Sequence, residues 1–139
     1  MEQNYFVYKL FNPDYPEFYI GSTKDMKQRK RHHKFRCNNE NDRFYNLKVY
    51  QYIRDHGGYS SWKYEILEHI TTSINKYELH DLERKAIEDM KPSLNERIPN
   101  RTMKEYKHQK FNCICGGKYI KSGEARHMKT AKHINFINQ

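Results

Sequence analysis

Four residues near the start of the chain have the types and spacing of a site that handles phosphate and protons. Tyr8 lies in an alternating, β-rich run, and Tyr19 lies in a second such run after a turn. Arg29 and His33 follow on a basic segment, four residues apart, so on a helix they lie one turn apart on the same face. A guanidinium is a forked cation that matches phosphate oxygens, and phenol and imidazole groups can relay protons. The convergence of these side chains from consecutive elements predicts a functional site.

Two strands and a helix are expected to position this site. Residues 4–11 alternate between apolar and polar side chains, and residues 18–22 form the second β-rich run. Asparagine, aspartate and proline at 12–16 favour a turn, so the two runs predict a hairpin. Ser22 and Asp25 have the spacing of a helix capping box, which predicts that the basic helix starts at Ser22.

The same residues resemble the signature of the GIY-YIG endonuclease superfamily. The first signature triplet corresponds to residues 6–8, Phe-Val-Tyr, where the glycine is missing and the tyrosine is kept. The second triplet, Tyr-Ile-Gly at 19–21, is complete. The resemblance covers residues 4–96 and implies an α+β fold, a small mixed domain in which a central three-stranded, mostly antiparallel sheet is flanked by helices. It also implies that the chain is an endonuclease.

The next segments continue the mixed pattern of helices and strands. Residues 44–56 trace a helical apolar face, and the glycine pair at 57–58 predicts the end of that helix. Residues 62–66 alternate as a half-buried third strand. Asn75 has the type of an N-cap, which predicts a third helix that ends before Pro92.

Glu83 lies on the apolar stripe of the third predicted helix, between Leu79 and Ile87. A carboxylate there costs free energy unless it is paired or binds a cation. The residues alone leave Glu83 as either a boundary residue paired with a lysine or a metal ligand. The pattern from Glu83 through Pro92 to Asn95 resembles the catalytic-glutamate helix of the GIY-YIG family. The resemblance implies that Glu83 binds one Mg²⁺ or Mn²⁺ ion and that Asn95 supports the site structurally.

The resemblance also implies a role for each residue of the first site. Tyr8 is expected to act as the base or proton relay toward water, and His33 to polarise Tyr8 or assist its proton transfer. Tyr19 is expected to orient the water or the scissile phosphate. Arg29 is expected to neutralise the non-bridging oxygens, and Gly21 to support the site structurally.

Two cysteines and two histidines near the end of the chain have the types of a zinc site. One residue separates Cys113 from Cys115, eleven separate Cys115 from His127, and five separate His127 from His133. Two thiolates and two imidazoles can hold a tetrahedral zinc ion, and Ser122 is expected to start a helix that bears both histidines. The arrangement resembles C2H2 zinc fingers of the matrin and U1-like kind. The alternative is a basic tail with scattered cysteine and histidine.

Basic charge is concentrated in two parts of the chain. The formal net charge is +9, with nine basic and two acidic residues at 101–139 and seven basic residues against one acidic at 24–36. Basic segments with interleaved aromatic residues favour a polyanionic partner, most commonly nucleic acid, and a solvated basic surface is the alternative. We expect duplex or branched DNA, with RNA not excluded. The side chains expected to contact it are Lys24, Lys27, Lys30, Arg31, Lys34, Lys118, Lys121, Arg126, Lys129 and Lys132.

The predicted organisation is a nuclease domain at 1–98, a basic linker at 99–110 and a C2H2-type zinc finger at 111–139. No run approaches the ~20 apolar residues of a membrane span, and the N-terminus does not resemble a signal peptide. We therefore expect a soluble, intracellular protein without a membrane partner, either a monomer or a transient dimer. The combination of a nuclease domain and a finger resembles enzymes encoded by mobile elements and large DNA viruses.

Two other functions are compatible with the sequence. The first is a catalytically inactive module that binds DNA or structured RNA, which the missing glycine of the first triplet favours and the retained tyrosines, arginine, histidine and glutamate oppose. The second is a protein-interaction adaptor whose basic surface is incidental. Binding that weakens steeply with added salt distinguishes both nucleic-acid readings from the adaptor.

Overall fold

The structure is a computed structural model that describes residues 3–108, 110–120 and 123–138. Its contacts divide the chain into two compact units, Met1–Asn100 and Arg101–Gln139. No helix in the described ranges has the length and apolar character needed to cross a membrane. The first unit contains three strands and three α-helices, which are, in chain order, β1 (Tyr5–Phe11), β2 (Phe18–Thr23), α1 (Met26–Asn38), α2 (Lys48–Asp55), β3 (Lys63–Ile70) and α3 (Lys76–Met90).

The three strands form one antiparallel sheet in the order β2-β1-β3. Tyr8 in the central strand pairs with Gly21 on β2 and with Ile66 on β3. The pairing with β3 shifts register between Val7 and Tyr8, so Leu67 has no partner on β1. The prediction of a three-stranded antiparallel sheet flanked by helices is confirmed.

Helices cover both faces of the central strand. Tyr8 and Leu10 pack in a buried cluster with Tyr50 and Ile53 of α2. Val7 points to the opposite face, where it packs in a second cluster that includes Leu79 of α3. Burial on both faces explains why β1 holds a tyrosine hydroxyl in the interior.

The helix α1 starts later than its sequence predicts. Its N-cap is Asp25, whose side chain accepts a hydrogen bond from the Gln28 N–H at 3.0 Å. The prediction that the helix starts at Ser22 is wrong, because Ser22 remains paired with Val7 in the sheet. The strand β2 extends to Thr23, so the backbone at Ser22 is extended and the helix begins only after Asp25.

The other two helices differ in how well their ends were predicted. The predicted start of α2 at residue 44 is wrong, because residues 39–47 form turns in which the Asp42 side chain accepts the Phe44 N–H at 2.8 Å. The chain then leaves α2 through the glycine pair at 57–58, which has φ values of 94° and 77°. The start of α3 is confirmed, with the Asn75 side chain accepting the Glu78 N–H at 2.8 Å.

The second unit is built from short elements. They are α4 (Met103–Lys107), β4 (Lys110–Asn112), β5 (Lys118–Ile120), α5 (Glu124–Met128) and α6 (Ala131–Ile137), and β4 pairs with β5 as an antiparallel hairpin. The helix α4 lies inside the stretch interpreted as a linker, and the Thr102 hydroxyl accepts the Glu105 N–H at its start.

The two histidines predicted to bind zinc, His127 and His133, lie on separate helices. The prediction of one helix for both is wrong, because Thr130 interrupts it and caps α6 by accepting the His133 N–H at 3.3 Å. The predicted helix start at Ser122 falls outside the described residues.

Candidate active site

Tyr8, Arg29 and His33 form a hydrogen-bonded cluster between the β1–β2 hairpin and α1. The Arg29 Nε–H donates to the Tyr8 hydroxyl at 2.9 Å, and His33 Nε2 lies 2.6 Å from the same hydroxyl. The Arg29 Nη2 group donates to the Tyr19 hydroxyl at 3.4 Å. The four residues noted first in the sequence therefore lie together, because one face of α1 packs against the hairpin.

Burial controls the proton affinity of the two tyrosines. Tyr8 has no exposed surface, and burial raises the pKa of its hydroxyl well above the usual range, with a further rise from Tyr19 and a partial offset from Arg29. Burial also raises the pKa of Tyr19, and Arg29 opposes this rise. Burial lowers the pKa of Arg29, but the two phenols raise it more, so the guanidinium keeps its charge. The site therefore holds neutral phenols beside a fixed cation.

His33 connects this cluster to a residue that sequence reasoning did not single out. Burial lowers the pKa of His33 well below its usual range, and the charges of Arg29 and Arg36 lower it further, so the imidazole is neutral. Its Nδ1 atom lies 2.8 Å from the Tyr50 hydroxyl. Burial raises the pKa of Tyr50 to about 12. Tyr50 falls at helical spacing among apolar residues, so in the sequence it is indistinguishable from a core residue.

Two further tyrosines, Tyr59 and Tyr64, pack against the same buried core as Tyr8. The Tyr64 ring centroid lies 5.8 Å from that of Tyr8. The Tyr64 hydroxyl is 2.9 Å from the Tyr59 hydroxyl, which also donates to the Lys30 carbonyl at 3.0 Å. These contacts leave the Tyr59–Tyr64 pair separate from the Tyr8 hydroxyl.

Gly21 allows the two catalytic candidates from the hairpin to approach each other. A Cβ atom at this position would lie 2.5 Å from the Tyr8 hydroxyl oxygen and 3.0 Å from Cε1 of Tyr19. Real Cβ atoms essentially never lie as close as 2.5 Å to such a neighbour, and 3.0 Å is tighter than most Cβ contacts. The glycine is therefore required by space, and its predicted supporting role has a physical basis in this contact.

Asn95 completes the open edge of the sheet. Its Oδ1 accepts the Ile20 N–H at 2.9 Å, and its Nδ2 donates to the Ile20 carbonyl at 2.7 Å. Because β2 is an edge strand, the amide takes the place of a neighbouring strand at this residue. Asn95 thus holds the strand that carries Tyr19.

Glu83 borders a cavity of about 490 Å³ that Tyr19 and Arg29 also line. The carboxylate is half-buried. Burial raises its pKa, while hydrogen bonding from Ser22 and the charges of His80 and Arg29 oppose the rise. The structure therefore brings the predicted glutamate of α3 to the cavity that exposes the arginine of α1.

A divalent cation fits the donor set at Glu83. Mg²⁺ commonly binds through one or two carboxylates together with water and substrate phosphates. A carboxylate whose pKa is raised by burial is stabilised in its ionised form by a neighbouring cation. Within the described part of the chain, a group of three or more acidic, cysteine or histidine ligands occurs only in the second unit. An ion at Glu83 would therefore depend on water and substrate oxygens for most of its ligands.

The four predicted zinc ligands converge in the second unit. The ligand atoms of Cys113, Cys115, His127 and His133 all lie within 4.8 Å of one another. Cys113 Sγ is 3.2 Å from His133 Nδ1, and Cys115 Sγ is 3.3 Å from His127 Nε2. Gly116, with φ of 84°, closes the turn after the cysteines. Two sulfur and two nitrogen donors at these separations fit a tetrahedral zinc ion.

The side chains expected to contact nucleic acid are exposed wherever the structure describes them. Exposure keeps their charges available to a partner, although contact with nucleic acid stays a prediction. Lys121 lies outside the described residues. The exposed side chains are Lys24, Lys27, Lys30, Arg31 and Lys34 in the first unit and Lys118, Arg126, Lys129 and Lys132 in the second.

Comparison with known proteins finds a family that matches most of the first unit. The family described as the GIY-YIG catalytic domain matches residues 4–98, which include both signature triplets, Arg29, Glu83 and Asn95. No curated protein and no solved structure matches the chain. The family match covers well over half of the 139 residues. The chain therefore belongs to the GIY-YIG family, whose catalytic domain is that of nucleases.

Proposed function

We propose that this chain is a metal-dependent endonuclease that hydrolyses phosphodiester bonds of DNA. The observation that carries the proposal is the Tyr8 hydroxyl, which lies 2.9 Å from Arg29 Nε and 2.6 Å from His33 Nε2. Family membership by itself gives a nuclease. An intact cluster of phenol, guanidinium and neutral imidazole supports activity over an inactive fold.

In the proposed reaction Tyr8 relays a proton. Because burial raises the pKa of Tyr8, a free phenolate is rare at neutral pH. Water attacks phosphorus and gives its proton to the Tyr8 oxygen, while the Tyr8 hydroxyl gives its own proton to Nε2 of neutral His33. The bond from phosphorus to the 3′-oxygen breaks, and that oxygen leaves and takes a proton from solvent. His33 later returns to solvent the proton that it received from Tyr8. Arg29 lowers the cost of negative charge on the Tyr8 oxygen throughout.

Arg29 also has a second task at the phosphate. Its guanidinium lines the cavity and matches the non-bridging oxygens, as the Tyr19 hydroxyl beside it does through a hydrogen bond. Tyr8 has no exposed surface, so neighbouring side chains must shift before a water molecule can reach its hydroxyl.

Glu83 is the proposed ligand of the Mg²⁺ or Mn²⁺ ion. When bound, such an ion supplies charge neutralisation at the phosphate and at the leaving oxygen. The half-buried carboxylate itself places negative charge on the cavity wall.

The second unit is proposed to be a zinc finger that adds nucleic-acid affinity. The Cys113, Cys115, His127 and His133 cluster supports this assignment, as do the exposed cations around it. We propose a nuclease domain at 1–98, a linker at 99–110 and the finger at 111–139. The division of contacts after residue 100 is compatible with these boundaries.

The test is cleavage of supercoiled plasmid with Mg²⁺ or Mn²⁺, compared with EDTA. Glu83→Gln removes the charge and keeps the shape, so we expect cleavage to fall on the order of 100-fold or more, as when one transition-state stabiliser is lost. Glu88→Gln is the matched control, because Glu88 lies on the same helix and pairs with Arg84 at 2.9 Å. It should cleave like the wild type.

Two other cleavage results would change the proposal. Undiminished cleavage by Glu83→Gln would remove the metal-site assignment. Absence of cleavage by the wild type on plasmid, branched DNA and RNA, with salt-sensitive binding intact, would favour the inactive binding module.

A further inference from the structure

We propose that Tyr50 is a positioning residue that holds His33 in the tautomer protonated at Nδ1, which leaves Nε2 free to accept the Tyr8 proton. The inference rests on the proposed function for its consequence in catalysis. Its structural basis is a line of hydrogen bonds that runs from Arg29 through Tyr8 and His33 to Tyr50 and is buried from Tyr8 onward.

The first step concerns the Tyr8 hydroxyl. Among the described residues, its hydrogen-bond partners are Arg29 and His33. A guanidinium only donates, so the Tyr8 oxygen accepts from Arg29, and the Tyr8 proton has His33 Nε2 as its acceptor. Tyr8 has no exposed surface, so solvent is not an alternative acceptor in this state.

The second step concerns the imidazole. A neutral histidine has one N–H donor and one acceptor nitrogen. If Nε2 accepts from Tyr8, the proton of His33 lies on Nδ1, which faces the Tyr50 hydroxyl at 2.8 Å. The Tyr50 oxygen then accepts from His33.

The direction of both hydrogen bonds depends on which phenol, that of Tyr8 or that of Tyr50, donates to His33. One imidazole cannot accept from both, and the contact to Tyr8 is shorter, at 2.6 Å against 2.8 Å. Both phenols are buried, so the shorter contact is what favours donation from Tyr8.

The third step is the effect of losing the Tyr50 hydroxyl. Tyr50→Phe leaves His33 Nδ1 buried without this partner, and the imidazole can then move its proton to Nε2 or rotate. A histidine whose orienting partner is lost adopts the wrong tautomer and loses catalytic efficiency without loss of the fold. Loss of the partner that orients a metal-binding histidine commonly lowers activity by about 10–100-fold, and we expect a similar loss at His33, which is oriented in the same way.

The experiment uses the whole 139-residue chain with ¹⁵N-labelled histidine. Two-bond ¹H–¹⁵N spectra distinguish protonated from unprotonated ring nitrogens, and plasmid cleavage is measured on the same samples. We expect the wild type to show His33 protonated at Nδ1. Tyr50→Phe should lose that preference and cleave about 10–100-fold more slowly.

Tyr59→Phe is the matched control. It also removes a tyrosine hydroxyl from the same core, one bonded to Tyr64 at 2.9 Å, yet it does not contact His33. In Tyr59→Phe, the His33 tautomer and the cleavage rate should both match those of the wild type. Fluorescence of Trp62, the single tryptophan, reports whether each variant is folded.

Two results would overturn the inference. One is a wild-type His33 protonated at Nε2, and the other is a Tyr50→Phe variant with the wild-type tautomer and rate. Because the tautomer is read without substrate, it tests the assignment even for a chain that cleaves nothing. Failure of the proposed function, by contrast, appears as absence of cleavage in the wild type.

Discussion

Gly21 stands opposite Tyr8 across β1 and β2, and a Cβ atom on Gly21 would lie 2.5 Å from the Tyr8 hydroxyl oxygen and 2.7 Å from its Cζ. Because Gly21 has no side chain, the Tyr8 ring can pack directly against this position. That packing lets the Tyr8 hydroxyl reach Arg29 and His33.

Gly21→Ala is therefore expected to displace Tyr8 and break its short contact with His33. We expect overpacking to destabilise the first unit by about 1–3 kcal/mol and cleavage to fall on the order of 100-fold. Urea unfolding followed by Trp62 fluorescence and plasmid cleavage measure the two effects.

Gly123→Ala provides a comparison, since its added Cβ would meet Ile120 at an ordinary 3.5 Å. This variant should retain cleavage. If Gly21→Ala also cleaved at the wild-type rate, the space argument for the signature glycine would fail.

His33 should make the unfolding free energy of the first unit depend on pH. Burial lowers its pKa well below its usual range, so the unfolded chain binds a proton as the pH falls through about 6.5 while the folded chain does not. The unfolding free energy should then fall with decreasing pH, by at most ~1.4 kcal/mol per pH unit from this group. Above pH 6.5 both states are neutral, and the contribution vanishes.

The measurement compares urea unfolding of the wild type, His33→Gln and His32→Gln at pH 7.5 and 5.5, read by Trp62 fluorescence. His33→Gln should show the shallower loss of stability on acidification, although it is less stable at pH 7.5. His32 is exposed, so its variant should follow the wild type. Parallel pH dependence in all three proteins would contradict the neutral assignment of His33.

Zinc is expected to stabilise the second unit alone. Cys115→Ser removes one of the four converging donors, so bound zinc should fall from about one ion per chain to nearly none, since structural sites need all four ligands. A unit of this size has little core without a metal, so its fold and its DNA affinity should weaken. Zinc analysis and fluorescence anisotropy give the two readouts.

Cys37→Ala is the control for zinc content, because Cys37 is buried in the core of the first unit. It should retain zinc. Urea unfolding of the first unit in Cys115→Ser, followed by Trp62 fluorescence, should match that of the wild type. Equal zinc content in Cys115→Ser and the wild type would rule out the proposed ligand set.

Lys27 on α1 is expected to contact a phosphate. If it does, Lys27→Ala should lower the slope of log affinity against log salt concentration by about 0.9. Lys85→Ala, which removes an exposed cation from α3, should leave the slope unchanged. Titration of duplex DNA at several salt concentrations measures both. An unchanged slope in Lys27→Ala would remove this lysine from the interface.

The sequence by itself determined the elements and most of the site. Alternation predicted β1 and β2, spacing placed Arg29 and His33 on one face of α1, and Asn75 marked the start of α3. These features depend on local backbone periodicity and on side chains that cap a neighbouring turn. Such interactions are visible within a few residues of sequence.

The tertiary structure decided what the supporting residues contact. The resemblance implies a supporting role for Asn95, and packing gives its partner, Ile20, across 75 positions. Tyr50, which the sequence does not distinguish from a core residue, reaches His33 across 17 positions. Packing also keeps Ser22 in the sheet, where pairing with Val7 overrides its local capping pattern. A partner distant in sequence leaves no local periodicity, and a buried tyrosine in an apolar stripe has the same spacing whether or not its hydroxyl is used. Only the packed positions of the elements determine which polar group meets which.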